Sequence, residues 1–220
     1  MPLLVLASNS PRRRELLALG NWTFDTAVSD IDESIQPNET PAAYVLRLAE
    51  AKARAVLGMA HETQIIIGSD TTVVNENRIL GKPNDAAEAE TMLRSLRGRT
   101  HQVYTAIAAL RVSDRKLAAD LCVTDVPMRP YTDEEMRAYI QTGDPLDKAG
   151  GYAIQHAGFQ PVERLSGCFA SVMGLPLCHL IRTLQKLDVA PETDVPANCQ
   201  AYLNYQCDVF AAILRGGNVG

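Results

Sequence analysis

The sequence predicts an α/β fold built on a mixed sheet, and three observations lead there. A short apolar run, Leu3 to Ala7, gives way to a polar turn and then a helix-start signal. Gln64-Ile65-Ile66-Ile67-Gly68 has the β-branched density of a central strand. Helical patterns alternate with strands along the chain, but hairpins intrude, which suits a mixed sheet better than a purely parallel one.

Taken in order, Ser10 reads as an N-cap and Pro11 as the first helical position, with Gly20 closing the helix. Thr23 to Val28 alternates weakly, as a second strand does. Pro41 to about Ala60 is an amphipathic helix, with Tyr44, Leu48, Ala51 and Ala55 as its expected stripe. The isoleucine strand runs on through Ser69 to Val74, and Asn75-Glu76-Asn77 turns it into Arg78-Ile79-Leu80. Asp85 to Leu96 is helical. Val103 to Val112 and Leu117 to Val126 are two long strands joined at Ser113-Asp114. Thr132 and Glu135 form a capping-box pattern for a helix that Gly143 ends, and a last helix runs from Pro176 to about Leu187. Residues 1–188 form one expected domain and 189–220 a tail. In the tail, Val189 to Pro196 reads as a linker and Cys199 to Leu214 as one docking or dimer-contact helix.

At 220 residues and 46% hydrophobic, the chain buries roughly 70% of its unfolded surface without needing metals or disulfides. The 21 basic and 26 acidic residues give a net charge of −5, which argues against a nucleic-acid polymer as partner. No apolar run approaches the roughly 18 residues of a membrane-spanning helix, and the start lacks the basic flank of a signal peptide. Five scattered cysteines with no CxxC pair point to reduced thiols and a cytoplasmic setting.

Several segments have chemical potential. Ser8-Asn9-Ser10-Pro11-Arg12-Arg13-Arg14 sets three cations at a helix N-terminus, where they oppose the helix dipole unless an anion arrives. A solvated basic face is the plainer reading. Asp70 stands at the end of a central strand, the usual ligand crevice of an open α/β sheet. It could bind a metal, take a proton from water or simply cap a turn. Asp30-Ile31-Asp32-Glu33 adds acidic groups in a loop; two carboxylates facing a polyphosphate suit Mg²⁺. Lys52 reads by default as a solvated helix lysine, whereas Lys82 sits in the rigid Gly81-Lys82-Pro83. His101 reads as a structural hydrogen-bonder sharing a strand face with Thr105. Asp147-Lys148-Ala149-Gly150-Gly151 combines charge with close backbone approach, and Gln155 can read an amide-like base edge as both donor and acceptor. Neither of the common nucleotide-binding glycine motifs occurs.

Together, Leu6-Ala7-Ser8-Asn9-Ser10-Pro11-Arg12-Arg13, Asp32-Glu33, Ala49-Glu50-Ala51-Lys52-Ala53, Ser69-Asp70-Thr71, Gly81-Lys82-Pro83, His101-Gln102-Val103-Tyr104-Thr105, the segment from Asp147 to Gln155 and Gly174-Leu175-Pro176 resemble the Maf family of nucleoside triphosphate pyrophosphatases. The resemblance implies a fold like that of inosine triphosphate pyrophosphatases, with two lobes around a central cleft, and a homodimer. It also implies cleavage between the α and β phosphates with a divalent metal, Mg or Mn. Asp70 matches the family's proton acceptor, and Glu33 with Asp70 its metal side. Ser8, Arg13, Lys52 and Lys82 match its phosphate-facing residues. Arg12, Thr71 and Gln155 match the branch acting on dTTP and UTP. The tail beyond about Val189 lies outside the pattern. The competing expectation is a non-catalytic nucleotide binder that regulates cell division, although carboxylates facing phosphates gain such a binder little.

Overall fold

The computed structural model describes residues 4–28, 30–217 and 219–220, so Leu3 of the expected first strand lies outside the described residues. The chain opens with β1 (Leu4–Leu6), α1 (Pro11–Ala18) and β2 (Phe24–Thr26), followed by α2 (Pro41–Ala55). A long strand β3 (Ile65–Asn75) turns through Glu76 and Asn77, both at positive φ, into β4 (Arg78–Leu80). Next come α3 (Ala86–Leu96), the long antiparallel pair β5 (Thr100–Arg111) and β6 (Leu117–Pro127), and α4 (Asp133–Gln141). The capping box is present: Thr132 Oγ1 accepts from the Glu135 N–H, and the Glu135 carboxylate accepts from the Thr132 N–H. Short helical turns at Asp144–Asp147 and Ala149–Gly151 lead towards α5 (Phe169–Met173) and α6 (Leu177–Gln185).

The six strands form one mixed sheet in the order β2-β1-β3-β5-β6, with β4 paired to β3. β1 runs parallel to both β2 and β3, whereas β5 runs antiparallel to its two neighbours, β3 and β6. Strand alternation divides the core between the two faces. Val5, Ile66, Ala106, Ala108 and Leu110 face α2 with Val45, Ala49 and Ala53. Leu4, Leu6, Ile65, Ile67, Val103 and Ile107 face the larger core, which includes residues of α1, α3, α4, α5 and α6. Among the described residues, no helix is long and apolar enough to cross a membrane.

Three expectations are corrected. The buried stripe of α2 is Val45, Leu48, Ala49, Lys52 and Ala53, so the face is turned by about one residue from the one predicted. Ala106 and Ala108 on the sheet let Ala49 and Ala53 pack closely, which outweighs burial of Tyr44. The tail forms two helices, α7 (Val195–Leu203), which starts inside the expected linker because Asp194 caps it, and α8 (Phe210–Leu214), because Asn204 adopts a left-handed conformation and stops the first. Finally, α5 was not foreseen; its five residues are too few to show a helical period.

The tail packs on the domain. Val195 and Ile213 are fully buried. Asn198 Nδ2 donates to the Leu19 carbonyl at 2.9 Å, Tyr205 Oη lies 2.8 Å from the Gly167 carbonyl, and Arg182 Nη1 donates to the Gly217 carbonyl at 2.8 Å.

Candidate active site

β3 places Asp70 and Thr71 on opposite faces of the sheet, because successive strand side chains alternate. Asp70 lies in the middle of β3 and not at the strand end expected of it, because pairing with β5 continues to Val74, and it points to the α2 face. The preceding Gly68 is required there: a Cβ would stand 2.0 Å from the Ala49 carbonyl oxygen and 2.9 Å from the Ala53 nitrogen. That close approach lowers Lys52 onto the strand, where Nζ meets Asp70 Oδ1 at 2.6 Å and Glu33 Oε1 at 2.7 Å. Lys52 is 8% exposed and Asp70 6%, so this lysine is the opposite of a solvated helix residue. Burial pushes the Asp70 carboxyl above its ordinary range, against the opposing pull of Lys52 and Arg13. Burial also acts to raise Glu33, but the Lys52 hydrogen bond and charge, with Lys82 and Arg13 behind them, hold it below its usual value.

The other face is organised by Arg13. Its Nε donates to the Gly174 carbonyl at 2.9 Å, Nη1 to Ser8 Oγ at 3.3 Å and Nη2 to Thr71 Oγ1 at 3.2 Å. Gly174 ends α5 at φ 109, a left-handed conformation that turns its carbonyl back to the strand. The same carbonyl lies 2.9 Å from Ser69 Oγ. Thr105, opposite Thr71 in the β3–β5 register, places Oγ1 3.1 Å from Thr71 Oγ1 and donates to the Ser171 carbonyl at 2.8 Å. One guanidinium thus ties the N-terminal end of α1, the central strand and the end of α5 together.

These elements surround a cleft of about 670 Å³, within the usual range of small-molecule sites. The nine residues matched to the family's site all line it, whereas Arg14, Asp30, Asp32 and His101 do not: Ser8, Arg12 and Arg13 come from the start of α1, Glu33 from the β2–α2 loop and Lys52 from α2. Asp70 and Thr71 come from β3, and Lys82 and Gln155 from the loops beyond. Lys82 and Gln155 are exposed, while Arg12 and Arg13 are half-buried.

Two further readings change. Lys148 does not add free charge beside the glycines; its buried ammonium is held by Asp144 at 2.8 Å and Asp147 at 2.5 Å. Tyr44, predicted to pack in the core, lines the cleft, and its hydroxyl donates to the Glu33 carbonyl at 3.0 Å. Burial, with Asp70 and Glu33 nearby, pushes that phenol up to about 12. Gly174 is the positioning residue that sequence reasoning left without a role, although Gly174-Leu175-Pro176 was a visible signal. His101 is structural as expected: Nε2 lies 2.7 Å from Tyr152 Oη, and burial lowers the ring to about 4. Among the described residues, no three His, Cys, Asp or Glu side chains converge on a metal position.

Residues 3–187 match the family described as Maf-like protein. The dTTP/UTP pyrophosphatase of Bacillus cytotoxicus is 46% identical over 188 residues, covering 86% of this chain and 97% of that protein. The protein of the same name from Vibrio vulnificus is 46% identical over 177 residues, covering 80% and 94%. Among solved structures, the Staphylococcus aureus Ham1 protein matches at 16% identity and a TM-score of 0.43, covering 92% of this chain and 98% of that one.

Proposed function

This chain belongs to the Maf family, and we propose that it is a nucleoside triphosphate pyrophosphatase acting on dTTP and UTP. The observation that carries the proposal is the buried Asp70 carboxylate, paired with Lys52 and beside Glu33, in a cleft that also holds Arg12, Arg13 and Lys82. A triphosphate brings several negative charges, which these cations and the Ser8 hydroxyl offset by charge-assisted hydrogen bonds. The regulatory-binder alternative gains little from two carboxylates facing the phosphates.

A divalent cation, Mg²⁺ or Mn²⁺, fits the donor set. Asp70 and Glu33 both reach one cationic atom, Lys52 Nζ, and two carboxylates completed by phosphate oxygens and water are what Mg²⁺ commonly takes. When bound, the cation supplies stabilisation for the charge that develops on departing pyrophosphate. Asp70 orients a water towards the α-phosphorus. The water oxygen forms the new P–O bond, its proton passes to the Asp70 carboxylate, and the α–β bridging bond breaks with its electrons leaving on pyrophosphate.

Base selection falls to Arg12, Thr71 and Gln155. Gln155 offers a donor and an acceptor to the O4/N3–H edge of uracil or thymine. The proposal includes a cytoplasmic homodimer: the five free cysteines support a reducing setting, and the dimer rests on the family resemblance. Turnover of UTP in ¹⁸O-labelled water tests the bond cleaved. Label in the monophosphate is expected; label in pyrophosphate, or release of orthophosphate, would reject attack at the α-phosphorus.

A further inference from the structure

Lys52 occupies the position that a metal shared by the two carboxylates requires. Its ammonium lies 2.6 Å from Asp70 Oδ1 and 2.7 Å from Glu33 Oε1 and is almost wholly buried. The close packing that Gly68 permits between α2 and β3 fixes the helix that delivers it. A divalent ion bound to the same oxygens at roughly 2.1 Å would crowd an ammonium that bonds them at hydrogen-bond distance. Arg13, which lines the same cleft, adds a further positive charge. Like charges so close repel strongly in a poorly solvated site.

We propose that Lys52 acts as a resident cation in the nucleotide-free protein, so that divalent metal enters only together with the triphosphate. This rests on the reading of the cleft as a metal-dependent triphosphate site and adds an order of assembly to it. The lysine is suited to the exchange. Its ammonium is a compact charge on a flexible stem with three rotatable donors, so it can move from carboxylate to phosphate oxygens without movement of the helix. The incoming phosphates supply the negative charge that makes two cations tolerable, and Lys52 then becomes a phosphate ligand while Asp70 and Glu33 turn to the metal. Before nucleotide arrives, the buried Asp70 and the exposed Glu33 beside it are neither left unpaired nor filled by adventitious metal.

The test is Mn²⁺ binding, followed by electron paramagnetic resonance, on the whole chain. It is measured alone and with a UTP analogue carrying a methylene bridge between the α and β phosphates. Wild type alone is expected to bind Mn²⁺ at least about tenfold more weakly than its analogue complex, after correction for Mn²⁺ bound by the analogue itself. Lys52→Met, without nucleotide, is expected to gain at least about tenfold, and adding Glu33→Gln should remove the gain. Tight Mn²⁺ binding by nucleotide-free wild type that Asp70→Asn abolishes would overturn the proposal, as would an unchanged affinity in folded Lys52→Met. If that variant does not fold, the two wild-type measurements still decide. Failure of the analogue to bind at all, with or without Mn²⁺, is a different result: it removes the triphosphate reading itself, and the order of assembly with it.

Discussion

Arg13 Nη2 donates to Thr71 Oγ1 at 3.2 Å, so a side chain read as a phosphate ligand also holds one read as selecting the base. The same guanidinium grips Ser8 and the Gly174 carbonyl. Lysine cannot reproduce that fork. Arg13→Lys is expected to lower kcat/KM for dTTP and UTP by about 30-fold, corresponding to roughly 2 kcal/mol of charge-assisted hydrogen bonding. Steady-state kinetics check this, and an unaltered value would mean that Arg13 positions nothing the reaction uses.

Gln155 lines the cleft from an exposed position. Glutamate keeps its shape but loses the amide donors and adds a charge. Gln155→Glu is expected to reduce kcat/KM for dTTP and UTP by about tenfold relative to the purine nucleotides, near 1.4 kcal/mol of discrimination. An equal loss on every nucleotide would reject its part in base reading.

Gly68→Ala tests the approach of α2 to β3. The added methyl would stand 2.0 Å from the Ala49 carbonyl oxygen, a backbone atom that a rotamer change cannot move aside. The helix must shift, at an expected cost of about 1–3 kcal/mol in urea unfolding. Activity should fall further than stability alone explains, because Lys52 travels with the helix.

Much of this was legible in the sequence where the signal is local. The Thr132 and Glu135 cap, the turn at Glu76 and Asn77 and the isoleucine strand each depend on neighbouring residues, and each is present. The cleft residues were found through their motifs. What stayed hidden depends on distant partners. Lys52 is buried because Gly68, 16 positions on, admits its helix and Asp70 receives its charge. Lys148 could not be seen to be held by Asp144 and Asp147 without the turn that gathers them. The split of the tail helix turns on one left-handed residue, Asn204, in a stretch whose apolar spacing also suits a single helix.

His101 gives a pH prediction. The buried ring titrates at about 4, lowered by burial against a smaller opposing pull from Asp125, whereas the unfolded chain titrates near 6.5. Above 6.5 both states are neutral, and the full stability is present. As pH falls towards 4 the unfolded chain takes up a proton that the folded one resists, so stability is lost; below about 4 the loss levels off. Urea unfolding should show wild type losing roughly 3 kcal/mol more than His101→Gln between pH 7.5 and 4. Parallel curves would show that His101 does not resist protonation in the fold.

The central claim is that Asp70 drives hydrolysis of pyrimidine triphosphates in this cleft. Pyrophosphate release from dTTP, UTP, CTP, GTP and 7-methyl-GTP, with Mg²⁺ or Mn²⁺, tests it most directly when wild type is set beside Asp70→Asn. Selective release from dTTP and UTP is expected, falling by about 10³-fold or more in a variant whose circular dichroism matches wild type. Near-native turnover in folded Asp70→Asn, or no release from any nucleotide by wild type, would contradict it.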